Sequence, residues 1–304
     1  MKGMILAAGL GTRLRPITHT MPKPMVPLCN RPLIAWAIES LHAAGASDLI
    51  VNLHHLPDVL ERYLREAYDR IEFSYEKEIL GTGGAIRRVR PLLENEEAFF
   101  LVNGDTVQFP RWNELRHALG SNIAALTLRH PPENDRFTPV YYDGAHVTGF
   151  GKGHGEALMF AGSHLISTRI FDDLPDQEEF GIVDRVYQPL IESGRETLGG
   201  IVDDGLWFDV GTPQRYLGAS QGLVAAMVRG ELAPPPGSFV DGDSLLHESA
   251  SGRAANSVVG ARSVIHGDVR DSIVWDDCVI EGTIERCIVT SGKHVTGDHR
   301  DEVI

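Results

Sequence analysis

The sequence predicts an α/β protein with an open mixed sheet, followed by a short β-helix, and three observations carry that expectation. Through the first 220 or so residues, short apolar runs alternate with segments of helical period, the pattern of a mostly parallel sheet with helices on both faces. The stretch ELAPPPGS then reads as a stiff proline-rich connection. Beyond it, a fifteen-residue pattern occurs three times over residues 257–271, 272–286 and 287–301. The expected organisation is therefore a Rossmann-like mixed-sheet domain at residues 1–230, a linker at 231–244 and a β-helix tail at 245–304.

The first strand is expected at residues 4–8. A helix follows that turns Leu33, Ile34, Ala37, Ile38 and Leu41 inward, with Asn30 as its cap, Pro32 in its first turn and Gly45 at its end. DLIVNL is the next strand, residues 58–67 a helix, IEFSYE a strand, ILGTGGA a loop before another helix, and AFFLVNGD a strand. Strands are also expected in IAALTLRH, PVYYD, VTGFGK and LMFAGSHLIS, with a helix through Ile182, Val183, Val186 and Leu190. In the tail, Val259, Val274 and Val289 share one column of the repeat, Ile265, Ile280 and Val295 a second, and Gly267, Gly282 and Gly297 a third. Columns at one period are what a stacked β-solenoid requires.

Composition excludes several classes. A formal charge of −14 argues against a nucleic-acid partner or an anionic membrane surface, so any bound phosphate must meet a local cluster of positive charge. No apolar run reaches the roughly 18 residues of a membrane helix, and the run at 4–8 is too short for a signal peptide. Cys29, Cys278 and Cys287 lack the paired spacing of a zinc site, and their odd number suits a reducing cytoplasm.

That cluster of positive charge is found in MILAAGLGTRLRPITHTMPKPMVPL, residues 4–28. Gly9 and Gly11 permit a tight turn and close approach of a ligand after a strand. Thr12 adds a polar group, and Arg13 a planar fork suited to phosphate. Lys23, between Pro22 and Pro24, is a point charge on a restricted chain. The stretch is neither a P-loop nor a dinucleotide fingerprint, since GK[ST] is missing and Leu14 replaces the third glycine. Two carboxylates follow apolar runs, Asp105 in FFLVNGD and Asp209 in GLWFDVGTP. Strand ends of this kind border the ligand crevice of open α/β sheets, and hard carboxylate oxygens there suit magnesium.

These residues resemble the sugar-1-phosphate nucleotidyltransferases, also called NDP-sugar pyrophosphorylases. The opening stretch matches the family signature LAAGxGTRLxPxTxxxPKPMxP, with Arg13 and Lys23 at its charged positions. VNGD is similar to the family's first magnesium-aspartate motif and WFDVGTP to its second, so the resemblance implies Mg2+ held by Asp105 and Asp209. ILGTGGA resembles the nucleotide and sugar loop. Lys152 in FGKG is similar in placement to a lysine that binds the sugar phosphate, although Gly151 and Gly153 stand where the family commonly has glutamate and proline. Many members carry a left-handed β-helix at the C-terminus.

The resemblance implies displacement of pyrophosphate from an NTP by a sugar 1-phosphate. Within it, Arg13 would meet the leaving pyrophosphate and Lys23 the phosphates that become joined. Leu6, Ala7, Ala8, Gly9, Gly11 and Thr12 would cradle the nucleotide, Gly81 would line the base or sugar pocket, and Asn103 with Lys152 would meet the sugar phosphate. GTP with a manno-type hexose or heptose 1-phosphate is the expected substrate pair, because the β-helix resembles guanylyltransferases. UTP with N-acetylmuramate 1-phosphate is the alternative, and a catalytically silent nucleotide-sugar-binding subunit is an alternative of another class. The solenoid end exposes backbone edges that a second subunit would cover, so a homo-oligomer is expected, a passive cap being the other role for the tail.

Overall fold

The computed structural model describes residues 1–133 and 137–304. It divides into two units, one of Met1–Leu10 with Trp36–Trp207, the other of Gly11–Ala35 with Phe208–Ile304.

The first unit is built on a nine-stranded mixed sheet. Gly3–Leu6 lies between Ala98–Asn103 and Leu49–Leu53, parallel to both, and Ile71–Tyr75 extends the parallel set. All five residues of Leu49–Leu53 are buried, which is why that strand reads as a continuous apolar run broken only by Asn52. The twelve-residue strand Glu156–Ser167 runs antiparallel to Ala98–Asn103 and then forks, its first residues pairing with Val140–Tyr142 and its later ones with Ala124–Arg129. The fork is a bulge centred on Gly162, whose φ of +92° suits glycine. Met4, Ile50, Phe99, Leu101, Ile86 and Leu126 are in the core between sheet and helices. His164 is buried there against the Tyr187 hydroxyl, and desolvation holds its imidazole down at about 3, so it stays neutral.

In this unit three local expectations change. The first strand stops at Leu6, because the Ala7 N–H turns away to the side-chain oxygen of Asn52 at 2.6 Å. ILGTGGA is only partly loop, since Gly81 opens the helix Gly81–Arg88. The helix expected through Ile182 and Leu190 is a π-turn, Val183–Tyr187, running into Gln188–Ser193.

In the second unit, residues 11–35 form three single-turn helices, Thr12–Leu14, Ile17–His19 and Lys23–Met25, and then a hairpin of Pro27–Leu28 with Arg31–Pro32. Asn30 is not a helix cap. It sits with Cys29 in the hairpin turn at φ of +61° and +51°, a conformation asparagine tolerates, and Pro32 is in the strand, so the helix begins at Leu33. Thr212 caps the helix Pro213–Val228, its hydroxyl accepting from the Arg215 N–H at 3.3 Å.

The tail is a β-helix of three sheets. The strands Val258–Val259, Ile273–Val274 and Ile288–Val289 pair in parallel at a spacing of fifteen, as do Val264–Ile265, Val279–Ile280 and His294–Val295, and likewise Asp268–Arg270, Thr283–Glu285 and Asp298–Arg300. The valine and isoleucine columns fill its core together with Val269, Ile284, Cys278 and Cys287. The first of these sheets reaches back into the expected linker: Ser238–Asp241 pairs antiparallel with Ser244–His247, which in turn pairs in parallel with Val258–Val259.

Candidate functional site

In the first unit, the strand Gly3–Leu6 delivers Ala7, Ala8 and Gly9 at its carboxyl end. Ala7 and Ala8 are buried and Gly9 is exposed. Leu6 pairs in register with Asn103, and the Gly104 N–H donates to the Leu6 carbonyl at 2.9 Å, so the first loop and the VNGD turn are joined by backbone. Asp105 follows, half-buried, with its carboxylate accepting from the Thr106 hydroxyl at 3.3 Å. Asn103 lies against the bulge, where a Cβ on Gly162 would fall 2.6 Å from its Nδ2.

Gly81 starts its helix at φ of +67°, and a Cβ there would meet the Phe180 carbonyl at 2.7 Å. Gly83 and Gly84 donate their N–H groups to that same carbonyl at 2.9 and 3.3 Å. The glycines of LGTGGA thus let the chain pack closely on residues 178–180, a structural use that their sequence pattern does not separate from ligand approach. Lys152 is 79% exposed and pairs with Glu192 at 2.9 Å, which holds the Glu192 carboxyl below its usual range after the hydrogen bond from Gln188.

The second unit gathers Gly11, Thr12, Arg13, Lys23 and Asp209. Gly11 is left-handed at φ of +62°, and a Cβ on it would approach the Lys23 Cβ at 3.1 Å and Thr18 at 3.0 Å. The Thr18 hydroxyl donates back to the Gly11 carbonyl at 2.8 Å, closing the loop on itself. Lys23 is 6% exposed, and Arg13 is exposed. Asp209 and Arg13 meet at Gly211, where a Cβ would lie 3.1 Å from the Asp209 carboxylate and 3.3 Å from the Arg13 guanidinium. The Arg13 guanidinium beside the Asp209 carboxylate brings together a phosphate-binding fork and an oxygen donor suited to a divalent ion, and Lys23 adds a second cation next to the Gly11 turn.

Sequence reasoning missed three polar groups around these loops. Arg215 makes an ion pair with Asp209 from the first turn of its helix. Asn52 and Glu76 are buried and hydrogen-bonded at 2.7 Å, with Glu76 also accepting from the Leu80 N–H at 3.0 Å. The available signal was weak: one polar residue in LIVNL, and a carboxylate ending IEFSYE. Elsewhere, burial pushes the thiols of Cys29, Cys278 and Cys287 up, so each stays protonated and unreactive. No helix among the described residues is long and apolar enough to cross a membrane.

In the first unit glycine loops and Asp105 follow the strands of a parallel-centred α/β sheet, and in the second two cations accompany a carboxylate; both are features of enzymes that handle phosphate esters. Known proteins narrow this. Residues 2–134 match the family described as Nucleotidyl transferase. The mannose-1-phosphate guanyltransferase of Gibberella zeae is 30% identical over 266 residues, covering 81% of this chain and 71% of that protein. The probable mannose-1-phosphate guanylyltransferase 2 of Oryza sativa subsp. japonica is 29% identical over 313 residues, covering 97% and 82%. Among solved structures, HddC from Yersinia pseudotuberculosis superimposes with a TM-score of 0.63 at 24% identity, covering 73% of this chain and 99% of that one, a likeness of fold. The chain belongs to the sugar-1-phosphate nucleotidyltransferase family. It is an enzyme that transfers a nucleotidyl group from an NTP to a sugar 1-phosphate, giving an NDP-sugar and pyrophosphate.

Proposed function

We propose that the nucleotide is GTP and the acceptor a manno-type sugar 1-phosphate. The observation that carries this is the 30% identity with a mannose-1-phosphate guanyltransferase over 81% of the chain, a span too long for the sheet domain alone. The acceptor phosphate is an anion at neutral pH, so no general base is required and the protein's work is positioning and charge neutralisation. Leu6, Ala7, Ala8, Gly9, Gly11 and Thr12 cradle the triphosphate, and Gly81 lines the base or sugar pocket. Arg13 neutralises the departing pyrophosphate and Lys23 the two phosphates being joined. Asn103 and Lys152 hold the sugar phosphate, for which Lys152 exchanges its exposed Glu192 partner for substrate.

Asp105 and Asp209 fit magnesium as hard, half-buried carboxylates at strand ends, the one-or-two-carboxylate donor set that this ion uses with phosphates. Bound there, Mg2+ would supply Lewis-acid neutralisation of phosphate charge. The enzyme is cytoplasmic in this reading, consistent with three free cysteines, and a homo-oligomer. Light scattering that returns the monomer mass would overturn the last point.

Pyrophosphate release across a panel of NTPs and sugar 1-phosphates tests the substrate assignment. GTP with mannose 1-phosphate or a manno-heptose 1-phosphate should turn over fastest. Preference for UTP with N-acetylmuramate 1-phosphate would replace the assignment, and no turnover with any pair would make the chain a nucleotide-sugar-binding subunit.

A further inference from the structure

The carboxylate of Glu76 is 5% exposed, and neither of its strongest contacts is a cation. One oxygen accepts from the Asn52 side-chain amide at 2.7 Å, the other from the backbone N–H of Leu80 at 3.0 Å. Asn52, 3% exposed, uses its own amide oxygen to accept from the Ala7 N–H at 2.6 Å. The backbone of Glu76 is fixed as well, its N–H donating to the Leu53 carbonyl at 2.8 Å and its carbonyl lying 2.9 Å from His54 Nδ1. Three hydrogen bonds therefore run in a line, Ala7 to Asn52 to Glu76 to Leu80. The line begins where the first loop leaves its strand and ends one residue before Gly81.

Burying a carboxylate is costly unless its acceptors are satisfied, and an apolar residue would fill the same space more cheaply. What the carboxylate supplies is two acceptors on one rigid group. An amide has one. The polarity of the line is fixed, because the Ala7 N–H demands an acceptor from Asn52 and so turns its NH2 toward Glu76.

We propose that the Asn52–Glu76 pair is a positioning relay that sets the two nucleotide loops, at Ala7–Gly9 and at Leu80–Gly81, in one fixed geometry. This rests on the reading that both loops hold the NTP. The relay touches backbone N–H groups and never the reacting atoms, so its loss appears in nucleotide affinity more than in the acceptor's.

The test uses the reversibility of the line. In Glu76→Gln the single amide oxygen cannot serve both Asn52 and Leu80, and in Asn52→Asp two carboxylates face each other. In the double variant Asn52→Asp, Glu76→Gln all three hydrogen bonds re-form with the carboxylate moved to residue 52. Each single variant should raise the KM for NTP about tenfold, the size of one buried hydrogen bond lost. The KM for sugar 1-phosphate should change far less, and the double variant should return the NTP KM to within about threefold of wild type. A double variant as impaired as the worse single one, or insoluble, overturns the relay, as do single variants with unchanged NTP KM. Hydrogen exchange on the wild type separates the underlying reading: NTP should protect residues 7–9 and 80–84. If it does and the swap fails, the relay alone is wrong; if it does not, the loop reading falls and the relay with it.

Discussion

Replacing Gly282 by alanine should unfasten the β-helix, and the cost follows from its stacking. A Cβ on Gly282 would sit 1.7 Å from the Gly297 carbonyl oxygen and 2.6 Å from its nitrogen, contacts with backbone that no rotamer change relieves. The coils must separate locally, which threatens the hydrogen bond from the Thr283 N–H to the Gly297 carbonyl at 3.0 Å. Overpacking of this kind costs about 1–3 kcal/mol, and a backbone hydrogen bond contributes about 1 kcal/mol, so Gly282→Ala should cost roughly 3 kcal/mol. Gly297 occupies the same column in the last coil, and a Cβ there meets nothing within 4 Å. Its φ of +82° still strains an alanine, by roughly 1–2 kcal/mol. Urea unfolding should therefore rank wild type above Gly297→Ala and Gly297→Ala above Gly282→Ala. Hydrogen exchange should place the largest loss of protection at Thr283. A Gly282→Ala protein within 1 kcal/mol of wild type, or one more stable than Gly297→Ala, would refute the stacking argument.

Asp105→Asn keeps the shape of the side chain and should leave the fold intact while lowering turnover by orders of magnitude; wild-type turnover with magnesium present would remove Asp105 from the metal site. Lys23→Ala preserves the Cβ that packs on Gly11, so its effect should be electrostatic, reducing transfer more than NTP binding, and equal losses in kcat/KM and in binding would restrict Lys23 to ground-state affinity. His130 is held above its usual imidazole range by Asp204 first and Glu156 second, at 2.7 and 2.9 Å. Because the folded value is raised, whatever stability these contacts give is fully present below about pH 6.5 and fades as pH rises through the folded value. NMR should show His130 titrating above an ordinary histidine, and an unshifted titration would contradict the geometry.

The fifteen-residue columns were legible because a solenoid writes its core, and its tight glycine contacts, into the sequence at one period. A further column was just as regular and escaped notice: Ser257 and Ser272 accept through their hydroxyls from the backbone N–H of the next coil, at Ser272 and Cys287. Serine repeats are common enough that nothing marks them as a ladder. The strand order of the central sheet was beyond sequence reasoning, since the fork at Gly162 depends on pairings between distant segments. Arg13 and Lys23 stood out as candidates because one closely follows a glycine turn and the other sits between two prolines. Asn52 and Glu76 could not, because a buried polar residue announces itself only when its partner, twenty-four positions away, is seen beside it.

The grouping of residues 11–35 with the C-terminal third of the chain sets an order of events during synthesis. The Pro27 carbonyl accepts from the Tyr216 hydroxyl, which in turn accepts from the Trp275 indole N–H at 3.0 Å, while Asn30 donates to the Val259 carbonyl at 3.1 Å. At about 5–20 residues per second, the ribosome needs roughly 12–50 s to travel from the hairpin to Trp275. Throughout that interval the hairpin that follows Arg13 and Lys23 has been made but lacks the Trp275 end of this chain of hydrogen bonds. A chain released before Trp275 would therefore carry its whole signature while the hairpin that follows it still lacked this anchor.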